Sequence, residues 1–227
     1  MIIIIQCAAR KNPEAGCLTC RGGMPVLFVA NPEMAPESTH HVYARPDDIS
    51  DSGMSWRDWL LEYNRNPGSN PLGLLPAWQL YENGIYRKLV EKFGLEKVYI
   101  LSAGWGLIAA DFLTPNYDIT FSAAAKRENK YKRRKKQDRY KDFCMLSLET
   151  TEPIIFFGGK DYVSLFCSLT VSSKGERVLF YNSLTKPDAP GCTLKRYETT
   201  TRTNWHYGCA EAFIKLNAPA AWPAAVI

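Results

Sequence analysis

Short apolar runs separate longer polar or amphipathic stretches along the chain. Residues 2–5 are four consecutive isoleucines. An unbroken β-branched run predicts a strand buried on both faces, near the centre of a sheet. Apolar runs stand also at residues 24–30 (MPVLFVA), 98–101 (VYIL), 153–157 (PIIFF) and 178–181 (VLFY), and a further, more polar strand is read at 193–197 (TLKRY). The last of these is expected to pair antiparallel. Elsewhere the apolar positions recur at helical spacing. Residues 56–64 (WRDWLLEYN) predict a helix with Ser55 as its N-cap. Residues 76–93 predict a single amphipathic helix that buries Trp78, Tyr81, Ile85, Leu89 and Phe93 and stops at Gly94. Shorter helices are expected at residues 107–110 and from 160, and a last one through Leu216 with Asn204 as cap. Residues 31–50 and 66–75 read as irregular connections.

Strands alternating with helices predict one α/β domain over residues 1–217, three layers with a mostly parallel central sheet. The Ala/Pro-rich residues 218–227 predict a loose tail. In such a sheet, ligands bind outside the carboxyl ends of the strands. Three loops are then expected to share a cleft: Cys7 to Lys11, the turn Ser102-Ala103-Gly104-Trp105-Gly106 with the residues up to Asp118, and Gly158-Gly159 onward.

Charge sharpens this. The chain carries +5, but residues 126–142 (KRENKYKRRKKQDRYKD) hold ten Lys/Arg against three Asp/Glu, so this stretch is +7 and the rest is −2. Residues 126–148 are expected to form a basic helix, since good helix formers dominate them. A cationic stretch with Tyr131 and Tyr140 interleaved suits a polyanion: phosphates meet the cations and bases stack on the rings. Arg10, Lys11, Lys130, Lys132, Arg133, Arg134, Lys135, Lys136 and Arg139 are the expected DNA-binding set.

In the cleft, Trp105, Tyr117 and Trp205 can hold a flat heterocycle, and Gly106 permits close backbone approach; with Cys7 and Ser102 they form the expected base-binding set. Beside DNA, a flat ligand is a base rotated out of the duplex. Cleavage of an N-glycosidic bond passes through an oxocarbenium-like state that a carboxylate stabilises. Asp111 or Asp118 could supply it, and Asn116, Asn204 or His206 could assist the departing base. Asp161 reads rather as a helix cap. Phosphate-loop, nucleophile-elbow and zinc-protease signatures do not occur.

The seven cysteines are irregularly spaced, and Cys17-Leu-Thr-Cys20 lacks a second pair, so neither a disulfide framework nor a metal site is expected. No cofactor and no obligate protein partner is expected. No apolar run reaches the length of a membrane span, and residues 1–5 are too short for a signal peptide core, which points to the cytoplasm.

The central stretch resembles a family of small bacterial and phage proteins related to the peroxide-stress protein YaaA. The resemblance rests on Cys7 with Lys11, on Ser102 to Leu107, on Pro115-Asn116-Tyr117-Asp118, and on Gly159-Lys160-Asp161-Tyr162. It implies an α/β fold similar to uracil-DNA glycosylase, although the G-Q-D-P-Y and H-P-S motifs of those enzymes do not occur. It also implies DNA-related work, such as excision of a glucosylated hydroxymethylcytosine from phage DNA in antiviral defence. A YaaA-like DNA-binding stress protein without turnover and a nucleoside deoxyribosyltransferase are the alternatives.

Overall fold

The structure, a computed structural model, describes residues 1–122 and 127–216. In chain order the elements are β1 (Ile2–Gln6), β2 (Val26–Phe28), β3 (Val42–Ala44), α1 (Trp56–Arg65), β4 (Leu75–Pro76), α2 (Ala77–Leu80), α3 (Ile85–Phe93), β5 (Val98–Ser102) and β6 (Gly106–Ala109). Then follow β7 (Leu113–Thr114), β8 (Phe143–Cys144), β9 (Ile154–Phe157), α4 (Val163–Thr170), β10 (Arg177–Tyr181), β11 (Cys192–Arg196) and α5 (Trp205–Lys215).

Seven strands form one sheet in the order β11-β10-β9-β1-β5-β6-β8. The four isoleucines of β1 are buried, and the strand pairs parallel with β5 on one side and β9 on the other. β9, β10 and β11 run parallel, while β6 turns back antiparallel to β5 and leads to β8. The chain crosses from β1 to β5 on one side and returns to β9 on the other. The crevice between β1 and β9 is therefore the switch point of the sheet. Consecutive residues of β9 show the covering layers, because neighbours on a strand face opposite ways. Phe156 stacks on Phe166 of α4 at 4.4 Å, whereas Phe157 packs on Phe213 of α5 at 5.3 Å. Helices α4 and α5 thus lie on opposite faces, and α3 packs beside α5.

Ser55 caps α1 as expected: its hydroxyl accepts from the Asp58 amide at 3.0 Å. Other expectations are corrected. The helix over residues 76–93 is two helices, because Asn83 takes the Ile85 amide on its side-chain oxygen at 2.9 Å and starts α3 afresh. Residues 107–109 belong to strand β6 and Ala110 to the turn after it, rather than to a helix: Gly106, at φ +88°, reverses the chain against β5. Adding a Cβ there would bring it to 2.5 Å from the Phe143 carbonyl oxygen, so β8 could not pair. β2 is shorter than residues 24–30 and pairs outside the main sheet, with β3, which lies in the stretch read as irregular. β11 is parallel, and Asn204 takes a left-handed conformation with no side-chain cap bond.

The basic stretch is not a helix. Arg127–Lys132 form a 3-10 turn, an irregular run follows, and residues 143–144 are strand. Like charges three and four apart oppose an α-helix. Around Arg133 the backbone instead bridges to Thr120, whose amide donates to the Lys132 carbonyl and whose carbonyl accepts from the Arg134 amide, and the Phe143 amide donates to the Trp105 carbonyl. Lys126 and the tail expected at 218–227 lie outside the described residues.

Candidate functional site

The parallel strands bring the ends of β1, β5, β9 and β10 to one edge. Between β1, β9 and β10 this edge opens into a cleft of about 550 Å³. Its floor is Gln6 at the end of β1 with Cys7 after it, and Gly158-Gly159 after β9. The Gln6 side-chain oxygen accepts from the Gly159 amide at 2.6 Å and ties the two strand ends together. The Tyr86 hydroxyl donates to the Gln6 carbonyl at 2.8 Å. The Cys7 thiol lies 3.2 Å from the Tyr162 hydroxyl. The start of α4 (Asp161, Tyr162, Val163) forms one wall, and the start of α5 (Asn204, Trp205, His206, Tyr207) another. Among the described residues, Asp161 is the single acid lining the cleft, and Lys160 and Arg202 are the cations. A groove of similar size, about 520 Å³, runs between Asn12 and Arg87 but includes no strand end of the main sheet.

The glycine turn after β5 does not face this cleft. Its amides and carbonyls are used internally. The Ser102 hydroxyl accepts from the Gly104 and Trp105 amides at 3.2 and 3.1 Å and donates to Tyr117 at 2.8 Å. Tyr117 in turn meets the Tyr81 hydroxyl at 2.9 Å. Two buried arginines take the carbonyls: Arg134 donates to Ala103 at 2.9 Å, and Arg57 donates to Gly104 and Trp105 at 2.9 and 3.0 Å. Each arginine has its own carboxylate, Asp142 for Arg134 and Asp47 for Arg57 at 2.6 Å. Trp105 is fully buried against Phe28, with ring centroids 5.0 Å apart. Trp105 and Gly106 are therefore core and turn residues, not a stacking platform. Tyr117 and Ser102 are likewise buried behind the wall.

The expected carboxylates separate. Asp111 is exposed beyond Ala110, whose amide bonds the Val98 carbonyl at 3.0 Å, so it lies at the amino end of β5. At about 3.3 Å per residue, a strand's length separates it from the cleft. Asp118 is held by Lys132 at 2.7 Å. Its backbone amide bonds Phe28, and that of Asn116 bonds Gly16, so neither reaches the cleft lining. Cys7, Trp205 and His206 do reach it, and so does Asn204. Asp161 does not cap α4; Tyr162 occupies that position, and the Asp161 carboxylate stands 3.6 Å from Lys136. Gln6, Asn182 and Arg202 line the cleft too and carry no local motif by which the sequence would single them out.

Of the cations, Arg134 is corrected from DNA contact to buried scaffold, and Lys132 is paired with Asp118. Lys130, Arg133, Lys135, Lys136 and Arg139 are exposed. Lys136 and Arg139 line a groove of about 370 Å³ that shares Asp161 with the cleft. Arg10 is exposed, and Lys11 sits with its amine 4.2 Å over the Tyr117 ring.

Burial sets the protonation of the site. It pushes the phenols of Tyr81, Tyr86, Tyr117 and Tyr162 well above their ordinary value, so these stay neutral hydrogen-bonding groups. It lowers the Lys11 amine, and Lys132 adds to this while Cys7 and Asp118 oppose it. His206 is lowered by burial to about 4, so it is neutral at pH 7. Its Nε2 is buried without a hydrogen-bond partner. Cys17 and Cys20 are half-buried free thiols. Among the described residues, no three His, Cys, Asp or Glu side chains gather as metal ligands do, and no helix is long and apolar enough to cross a membrane.

Compared with known proteins, the chain matches no family model, no curated protein and no solved structure. The motif residues by which the sequence resembles YaaA-related proteins draw no support from these comparisons. These residues have different places: Cys7 and Gly159 to Tyr162 line the cleft, whereas Ser102 to Leu107 and Tyr117 build the scaffold behind it.

Proposed function

We propose that the chain is a DNA N-glycosylase of uracil-DNA-glycosylase-like fold that excises a modified base rotated into the cleft between β1 and β9. The observation that carries this reading is a carboxylate, Asp161, in a cleft at the switch point, single among the described residues, with exposed cations of the basic stretch in an adjoining groove. In the reaction, the bond between the sugar C1′ and the base breaks, the base leaves with the electron pair and takes up a proton, and a water adds at C1′ and gives up a proton. Asp161 faces the developing positive charge on the sugar. Trp205 and Tyr207 supply aromatic walls for the base, and Gln6 and Asn182 supply amides for its edge. The exposed cations hold the phosphates on either side. This gives the carboxylate role to Asp161, not to Asp111 or Asp118. A hypermodified phage cytosine, removed in antiviral defence, is the substrate that the YaaA-like motifs suggest.

The test is base release, read as abasic sites cut by an abasic-site nuclease, on unmodified DNA and on DNA carrying glucosylated hydroxymethylcytosine. Asp161→Asn is expected to lower release by about a hundredfold or more, the usual scale for a positioned acid or base. Asp111→Ala is expected to leave it unchanged. Wild-type rates in Asp161→Asn would overturn the role given to Asp161, and salt-sensitive binding with no release from either DNA would overturn the enzymatic reading and describe a YaaA-like binding protein.

A further inference from the structure

Two helices begin in the cleft, and neither is capped. Helix α4 starts after Tyr162 and α5 after Asn204, and neither of these two residues caps its helix with a side-chain hydrogen bond. An uncapped first turn presents amide donors and the positive end of the helix dipole. Both first turns line the same cleft, so two such ends converge on one space. His206, only 2% exposed, sits in the first turn of α5 and lines the cleft, and its buried Nε2 has no partner. Leaving a buried ring nitrogen unpaired is unfavourable, and a ligand that pairs it would relieve that cost. Arg202, exposed and three residues before α5, lines the same wall, with Lys160 at the start of α4.

We propose that the uncapped ends of α4 and α5, together with Arg202 and His206, form a subsite for the phosphate ester of the nucleotide whose base enters the cleft. A phosphate offers several oxygens to donors that approach from different elements, which suits main-chain amides, an imidazole N–H and a guanidinium at once. Helix ends alone would suit any small anion. Their position beside Trp205 and Asn182 selects an anion with a flat group attached. His206 therefore assists phosphate binding rather than base departure. The subsite rests on the nucleotide reading of the cleft but not on turnover.

The experiment titrates the protein with deoxycytidine, deoxycytidine monophosphate, a short single-stranded oligodeoxycytidylate and inorganic phosphate, following backbone amide shifts. The phosphate-bearing nucleotides are expected to shift the Val163, Trp205 and His206 amides and to bind about tenfold or more tighter than deoxycytidine, the scale of one charge-assisted hydrogen bond. Arg202→Ala, at an exposed position, is expected to remove most of that advantage, and Arg202→Lys to keep part of it. Preference for the strand over the monophosphate identifies the ester as a phosphodiester of DNA; the reverse identifies a free nucleotide. Equal affinity for deoxycytidine and its monophosphate, or an advantage that survives Arg202→Ala without shifts at these amides, overturns the subsite. Base release is read separately. Phosphate binding without release sinks the glycosylase and keeps the subsite, and release with no phosphate advantage does the opposite.

Discussion

Stability should depend on pH through His206. In the unfolded chain its imidazole titrates near 6.5, and in the folded protein burial lowers it to about 4. Between these values the unfolded chain holds a proton that the folded chain does not. Stability must then fall as pH falls through this window and be unaffected above it. Each pH unit is worth about 1.4 kcal/mol, so the full loss is about 3 kcal/mol, reached near pH 4. The groups against the ring are aromatic, Tyr207 at 4.1 Å and Trp205 at 6.1 Å, and neither offers a carboxylate to hold the proton. Other carboxylates contribute to acid unfolding as well, so the measurement is a difference. Urea unfolding of the wild type and of His206→Gln from about pH 7.5 to about pH 5 isolates the one group. The variant is expected to cost most at neutral pH, and its disadvantage should shrink by about 2 kcal/mol at the acid end. A disadvantage that does not change across the range refutes the argument. Should the variant not fold, direct titration of the wild-type ring by NMR decides it: an apparent value near 6.5 gives the same refutation.

The scaffold behind the cleft makes further demands. Arg134→Met strips Asp142 of its cation and Ala103 of its donor, and should cost about 3–5 kcal/mol in denaturant melts, against less than about 0.5 for Arg133→Met at the exposed neighbour. Equal costs would contradict the buried role. Gly106→Ala combines φ +88° with a collision at Phe143, and should lower Tm by about 5 °C or more; an unchanged Tm would mean the turn relaxes freely. Replacing Lys135, Lys136 and Arg139 together with Gln should reduce the slope of log affinity for DNA against log salt by about two to three, and an unchanged slope would place the phosphates elsewhere.

The central strands were legible because four isoleucines, VYIL and IIFF have one physical use, as strands covered on both faces. From their parallel arrangement the meeting of Cys7 with Gly158-Gly159 also follows. What local pattern could not give was the partner of each polar group. Arg134 looks like any member of a basic run until Asp142 and the Ala103 carbonyl are placed beside it. The glycine turn reads as a ligand loop, since nothing in its own residues tells that Arg57, far away in sequence, fills its carbonyls. Asp111 was misplaced by a single element: a helix at residues 107–110 would keep it near the carboxyl edge, and an antiparallel strand carries it to the other edge. Asp161 reads as a cap because sequence cannot tell which residue is last before a helix, and in the fold that residue is Tyr162.

The place of β1 has a consequence for how the protein is made. Its partners, β5 and β9, begin at Val98 and Ile154, so the ribosome delivers four isoleucines long before either neighbour exists. At about 5–20 residues per second, the wait for the second edge to be covered is on the order of ten seconds. For that time the nascent chain carries a bare β-branched segment with high propensity to pair with any edge it meets. Yield should therefore respond to translation speed, growth temperature and the supply of holding chaperones more than to substitutions in the finished surface.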